Sequence, residues 1–149
     1  MKDILIMLGL SMLPISELRG AIPYGISKGL PFWNVFIISV IGNLFPVIPL
    51  YFLLEKILSL FERFEYGRRF NNWLINHTKS KSKIVDVYKT IGLLIFVGIP
   101  LPITGAWTGT IASVIFQLRL KNFLIGIIGG VLMAGIVVSL ITFGVKSIF

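Results

Sequence analysis

The chain has 149 residues, 56% of them hydrophobic and 13% charged, with a net charge of +8. An average soluble domain is about 25% charged, so this chain has too few polar groups to cover a surface facing water. The absence of cysteine excludes disulfides, thiol catalysis and thiolate metal sites. The excess of Lys and Arg comes without the basic–aromatic stripe of a single-strand binder, so it speaks for orientation in a membrane and against nucleic acid.

Four apolar segments follow in chain order. The first, about Ile4 to Ile26, is long enough to span but is interrupted by Pro14, Glu17, Arg19, Gly20 and Pro23. It is read as retained and not as a signal peptide, because Asp3 stands in the would-be positive region and Pro14, Glu17 and Arg19 stand where small residues should precede cleavage. The second, about Pro31 to Leu54, is uninterrupted, with Pro46 and Pro49 late in it; no charge occurs between Gly29 and Leu54. The third, about Ile91 to Phe116, is broken by Gly98, Pro100, Pro102, Gly105 and Gly109. The fourth, about Phe123 to Val145, is uninterrupted, with no charge between Asn122 and Val145. Both charge-free runs exceed the roughly 20 residues that a helix needs to cross a bilayer.

The order broken, whole, broken, whole suggests a duplication. A shift of 88 residues aligns Leu13-Pro14-Ile15-Ser16 with Leu101-Pro102-Ile103-Thr104. With no gap it also aligns Leu30 with Leu118, Asn34 with Asn122, Ile37 with Ile125, Gly42 with Gly130 and Leu44 with Leu132. The expected organisation is a single membrane domain, 1–149, with repeat one about 1–61, a linker about 55–89 and repeat two about 89–149. Pro and Gly free backbone groups that cannot face lipid. Each broken segment therefore reads as a re-entrant helical hairpin, with tips at Pro14, Gly20 and Pro23 and at Pro102, Gly105 and Gly109; a kinked spanning helix is the alternative. A hairpin that returns to its own side and a helix that crosses once make the two repeats inverted. The fold class expected is all-α and integral to the membrane.

The linker carries Lys56, Arg63, Arg68, Arg69, Lys79, Lys81, Lys83 and Lys89 against four acidic residues. Ile57, Leu58, Phe61 and Phe64 recur at helical spacing, which predicts an amphipathic stretch at the interface. Arg119 and Lys121 fall on the same side. That side is expected to be cytoplasmic and both termini outside, in the plasma membrane.

Glu17 and Arg19 are the ionisable residues deep inside an apolar segment. A charge at the bilayer centre costs about 2.5–3.5 kcal/mol on insertion scales, so it needs a partner, a cavity or a function. Glu17 suits a proton or cation; Arg19 suits a phosphate or carboxylate; an unwound tip from Ser16 to Gly20 would let them pair with each other. Ser16 and Thr104 occupy matching positions as N-caps of the returning half-helices, whose free N–H groups favour anions. Trp107 reads as a substrate platform or as packing, and Trp33 and Trp73 as interfacial anchors. Gly126, Gly130 and Ala134 form a small-residue row for helix packing, within the chain or between subunits, and Gly105 and Gly109 a second pair. Asn34 and Asn122 read as caps of the whole helices. His77, alone in the polar linker, reads as solvent-exposed. No metal, cofactor or catalytic constellation is expected: there is no phosphate-cradling loop, H-E-x-x-H or serine-hydrolase elbow.

Ser16-Glu17-Leu18-Arg19-Gly20-Ala21-Ile22-Pro23 and Pro100-Leu101-Pro102-Ile103-Thr104-Gly105-Ala106-Trp107-Thr108-Gly109 together resemble the two signature stretches of the small multidrug export protein family. The second carries Ile103 where that family usually has Gly. More distantly, Pro14-Ile15-Ser16-Glu17 is similar to the first hairpin of the DedA/VTT superfamily. That resemblance implies two facing re-entrant hairpins, an acidic role for Glu17, and either proton-coupled transport or translocation of phospholipids or polyprenyl phosphate carriers. The Arg of that superfamily's second hairpin has no counterpart between Pro102 and Gly109.

The leading expectation is a small transporter or exporter, proton-coupled, with its site between the hairpin tips. A DedA-like lipid or polyprenyl-phosphate translocase is one alternative. A scaffold that binds anionic lipid or a partner through the basic linker is another. Membrane lipids and a small-molecule or lipid substrate are the expected partners, and a homodimer would help bury the broken tips.

Overall fold

The computed structural model describes residues 2–61, 83–101 and 104–148. These form six helices and no strand: α1 (Lys2–Met12), α2 (Glu17–Ser27), α3 (Phe32–Phe61), α4 (Lys83–Gly98), α5 (Ala106–Ile115) and α6 (Leu120–Ile148).

Each broken segment is a pair of antiparallel helices. In the first, the chain turns over at Leu13 to Ser16, around Pro14, and Tyr24 Oη donates to Asp3 Oδ1 at 2.9 Å, tying the end of α2 to the start of α1. In the second, it turns between Ile99 and Gly105, and Lys89 Nζ donates to the Phe116 carbonyl at 3.1 Å across the base. At 1.5 Å per residue α1, α2 and α5 each rise roughly 15 Å, about half of a ~30 Å hydrocarbon core. Three expected tip residues are placed differently, Gly109 in the first turn of α5 among them. Gly20 lies in the first turn of α2, and Pro23 lies inside that helix. A Pro in the second turn removes only the bond to the carbonyl four residues back, here Arg19, and α2 continues to Ser27. Pro102 and Ile103 lie outside the described residues. The helix α4 starts at Lys83, earlier than the apolar segment at Ile91 that it contains.

The two whole segments are single helices long and apolar enough to cross a membrane. Pro46 and Pro49 are accommodated inside α3. Only 33% of the most apolar stretch of α3 and 44% of that of α6 is buried. A core helix of a soluble protein would be mostly covered. Leu5, Trp33, Phe45 and Leu140 are each 65–68% exposed, as lipid-facing side chains would be and as a water-facing surface would not. The protein is a membrane protein, all-helical over the described residues. The amphipathic stretch that begins at Glu55 continues α3 without a break to Phe61; Phe64, Trp73 and His77 lie outside the described residues. Asn34 and Asn122 are corrected as caps: each is the third residue of its helix, because α3 starts at Phe32 and α6 at Leu120.

Apolar surface gains little by leaving lipid for protein, so close packing holds such helices together. The row of small residues on α6 serves α4. A Cβ on Gly126 would stand 2.9 Å from Leu93 Cδ2, and one on Gly130 would stand 2.6 Å from Val97 Cβ and 2.9 Å from the Leu94 carbonyl oxygen. Ala134 continues the row and is buried. Across the chain, α2 packs on α6 and α5 packs on α3, while α1 lies on α3 and α4 on α6. The starts of α2 and α5 are 89 residues apart and those of α3 and α6 are 88 apart.

Candidate functional site

Glu17 opens α2 with φ +44°, in the left-handed region where a side-chain-bearing residue loses about 1–2 kcal/mol. Strain of this kind collects where the surrounding structure needs a side chain aimed in one direction. Here it turns a carboxylate inward, leaving Glu17 5% exposed.

That carboxylate lies over Gly105 at the start of α5. The Gly105 backbone is extended, with φ 175°, a conformation open to any residue. Glycine is required there by space, since a Cβ would stand 2.7 Å from Glu17 Cδ. Glu17 Oε1 accepts the Trp107 backbone N–H at 3.4 Å, a long bond. Helix N-termini leave their first N–H groups unsatisfied and carry a partial positive charge. The Glu17 carboxylate, coming from the other half of the chain, supplies the acceptor that the N-cap residue Gly105 lacks.

Arg19 reaches the same tip from the next position but one. Its Nη2 donates to the Thr104 carbonyl. The first turn from Glu17 is helical, so residues two apart diverge. No ion pair joins Glu17 to Arg19; each finds its partner on the second tip. The condition for their pairing, an unwound Ser16–Gly20 stretch, is not met, since the helix starts at Glu17.

The two capping expectations are corrected as well. Ser16 has helical φ and ψ, −83° and −52°, and makes no side-chain cap; an N-cap needs extended backbone to turn its oxygen onto the first turn. Thr104 serves the preceding helix. Its Oγ1 donates to the Ile99 carbonyl at 2.6 Å and accepts the Leu101 N–H at 3.2 Å, so it closes the turn after α4, and Gly105 is the N-cap residue of α5. Gly109 belongs to helix packing: a Cβ there would stand 2.5 Å from Val97 Cγ2.

Asn43 was not singled out from the sequence. It lies on α3, is 1% exposed, and its amide lies against the Glu17 carboxylate. Its Nδ2 faces that carboxylate as a donor without reaching full hydrogen-bond geometry, and its Oδ1 has no partner. Ser39, one turn earlier, is fully buried and its Oγ is also unpartnered. The available signal was an Asn in the middle of a charge-free run, four residues after a Ser and hence on the same helix face. Among the described residues, the buried side-chain atoms without a partner are Ser16 Oγ, Ser39 Oγ, both amide atoms of Asn43, and Trp107 Nε1. Of these residues, Asn43 lies against the Glu17 carboxylate and Trp107 bonds to it through its backbone N–H.

Away from the tips, a cavity of about 490 Å³ opens between α4 and α5, lined by Leu93, Phe96 and Phe116 with Lys89 beside them. A second, of about 420 Å³, lies where the end of α3 meets the turn into α6. Tyr51 borders it, stacking on Phe123 with ring centroids 4.2 Å apart and donating to the Leu118 carbonyl at 2.9 Å.

Two short helix pairs that touch through a buried carboxylate and a guanidinium, flanked by two long apolar helices, define a small helical membrane protein with a polar centre. The family model described as "Putative small multi-drug export protein" matches residues 17–137, and the chain belongs to that family. The match opens at Glu17 and takes in Arg19, Asn43 and the whole 104–107 turn. Comparison with curated proteins and with solved structures gives no match.

Proposed function

We propose that the protein is a small exporter, and not an enzyme, whose substrate site lies where the two tips meet and whose driving reaction is the binding and release of a proton by Glu17. The observation that carries this reading is the pair of contacts from Glu17 and Arg19 to the 104–107 turn. Charged side chains inside an apolar protein mark ion and substrate paths. Sites of this kind lie at the interface of two repeats, at the ends of broken helices.

In this reading the helix pairs α1–α2 and α4–α5 are re-entrant hairpins that enter from opposite faces and meet near the middle of the bilayer. The two halves are then inverted repeats, consistent with helix starts that recur after 88 or 89 residues. The basic linker faces the cytoplasm and both termini face outward. Alternating access would open the tip contact toward one face at a time. The Glu17 contact is suited to this, since a long hydrogen bond from Trp107 is easily given up when the carboxylate gains a proton.

The test uses vesicles carrying the purified protein, loaded with fluorescent solutes of positive, zero and negative charge, under an imposed pH gradient. The wild type should move at least one solute in exchange for protons. Glu17→Gln should lose exchange, and Arg19→Gln should slow it. Retained exchange in both variants would sink the site. Loss of function only on charge reversal of the linker would favour a lipid-binding scaffold.

A further inference from the structure

We infer that the cavity between α4 and α5 holds one acyl chain of an anionic phospholipid, with the Lys89 ammonium on its phosphate. The inference goes beyond proton exchange at the tips, and its test does not depend on that site.

A comparison within the chain explains why the cavity is open. The same turn closes α2 and α5. After α2, Gly29 has φ +73° and the Leu30 N–H donates to the Gly25 carbonyl at 3.2 Å. After α5, Gln117 has φ +53° and the Leu118 N–H donates to the Ser113 carbonyl at 2.9 Å. Both are left-handed helix ends of the Schellman kind. Counted back from these turns, Ala112 stands on α5 where α2 has Tyr24. The Tyr24 ring packs on the core and its hydroxyl bonds to Asp3 of α1. In the second pair a methyl group replaces that ring. On α4, Gly92 also lines the cavity, and nothing lies within 4 Å of its Cβ position. The two arms are held by different neighbours, α4 by α6 and α5 by α3. What remains between them is a slot of about 490 Å³, within the ~300–1,000 Å³ range of ligand pockets.

The lining selects the occupant. Leu93, Phe96, Phe116 and Leu118 make apolar walls, on which water finds no partners and which lose contact energy if left bare. Ile91 and Ile95, beside Gly92, and Ile111 and Ile115, beside Ala112, are each 41–48% exposed, so this flank faces the hydrocarbon of the bilayer. Lys89 lies one turn before Gly92, at the end where α4 begins and α5 finishes. It gives one of its three N–H donors to the Phe116 carbonyl at 3.1 Å. The others are left for phosphate oxygens. A cation at the interfacial end of an apolar slot matches a hydrocarbon chain with an anionic head. A zwitterionic phospholipid offers the same chain without the net charge. A chain in the slot would tie α5 to α4 as Tyr24 ties α2 to α1.

The test adds dioleoyl phosphatidylglycerol, dioleoyl phosphatidylcholine or oleate to the full-length protein in detergent. Melting temperature is the first readout, and native mass spectrometry counts retained lipid. Phosphatidylglycerol should raise the melting temperature of the wild type at concentrations at least tenfold below phosphatidylcholine, with one molecule retained per chain. Lys89→Gln should abolish that preference and keep the response to phosphatidylcholine. Ala112→Tyr and Gly92→Leu should each fill the slot, melt no lower than the wild type without lipid, and retain none. No response of the wild type, an equal response to the two phospholipids, or undiminished retention in both filling variants would overturn the inference. A response to oleate alone would overturn the phospholipid as occupant. Failure of both filling variants to fold would overturn it too, because it would show that the slot is not open space.

Discussion

Gly105 and Glu17, 88 residues apart in the chain, approach so closely that no side chain larger than hydrogen fits between them. The carboxylate occupies the space that a Cβ would need. Replacing Gly105 by Ala must therefore push the two tips apart or force Glu17 off the α5 terminus. The expected loss is roughly 1–3 kcal/mol of stability, in the range of overpacked cores, together with loss of proton-driven exchange. Melting in detergent and flux in vesicles measure the two effects separately.

The α4–α6 contact offers a control elsewhere in the same fold. Gly130→Ala would bring a Cβ to 2.9 Å from a backbone oxygen, which cannot rotate away. It should destabilise by about 1–3 kcal/mol. Gly144 has nothing within 4 Å of its Cβ position, so Gly144→Ala should be neutral or should stabilise α6 by up to about 1 kcal/mol. Equal melting temperatures for the two variants would contradict the packing described.

Thr104→Val keeps the shape of the side chain and removes its hydroxyl. The Ile99 carbonyl and the Leu101 N–H then lose their shared partner. A cost of about 1 kcal/mol is expected, and Thr104→Ser should recover most of it. The Arg19 contact uses the Thr104 backbone, so proton exchange should be weakened in Thr104→Val only through loosening of the turn.

Tyr51→Phe separates stacking from hydrogen bonding at the end of α3. The ring would still lie on Phe123, while the Leu118 carbonyl would lose its donor. The variant should melt earlier by an amount equivalent to about 1 kcal/mol. Tyr51→Ala should cost several times that, because the stack goes too.

Much of the architecture could be read from the residues. Pro14 and the Gly/Pro cluster from Gly98 to Gly105 mark real reversals, because proline and the lipid environment together leave few conformations open. The charge-free runs mark the two long helices for the reason that charges are costly in lipid. The caps were misread, because capping depends on local backbone angles. Ser16 has a capping side chain on helical backbone, and Thr104 has one whose hydroxyl turns back to Ile99. Pro23 shows the opposite: a breaker that sits early enough in α2 for the helix to continue. Glu17 and Arg19 stood out by charge alone. Asn43 did not, since its place beside Glu17 depends on how α3 packs against α2, and no local pattern encodes that.

The contacts between the two halves include α2 on α6, α5 on α3, α3 on α6 through Tyr51 and Phe123, Glu17 on Trp107 and Arg19 on Thr104. None of them needs the peptide chain to be continuous from one half to the other. A cell supplied with residues 1–61 and 83–149 as two separate polypeptides should therefore reassemble the contacts of the described residues. A single gene for both halves would then serve to fix their ratio, while their mutual recognition would be shared by the tips, the helix faces and the Tyr51 contacts with Leu118 and Phe123.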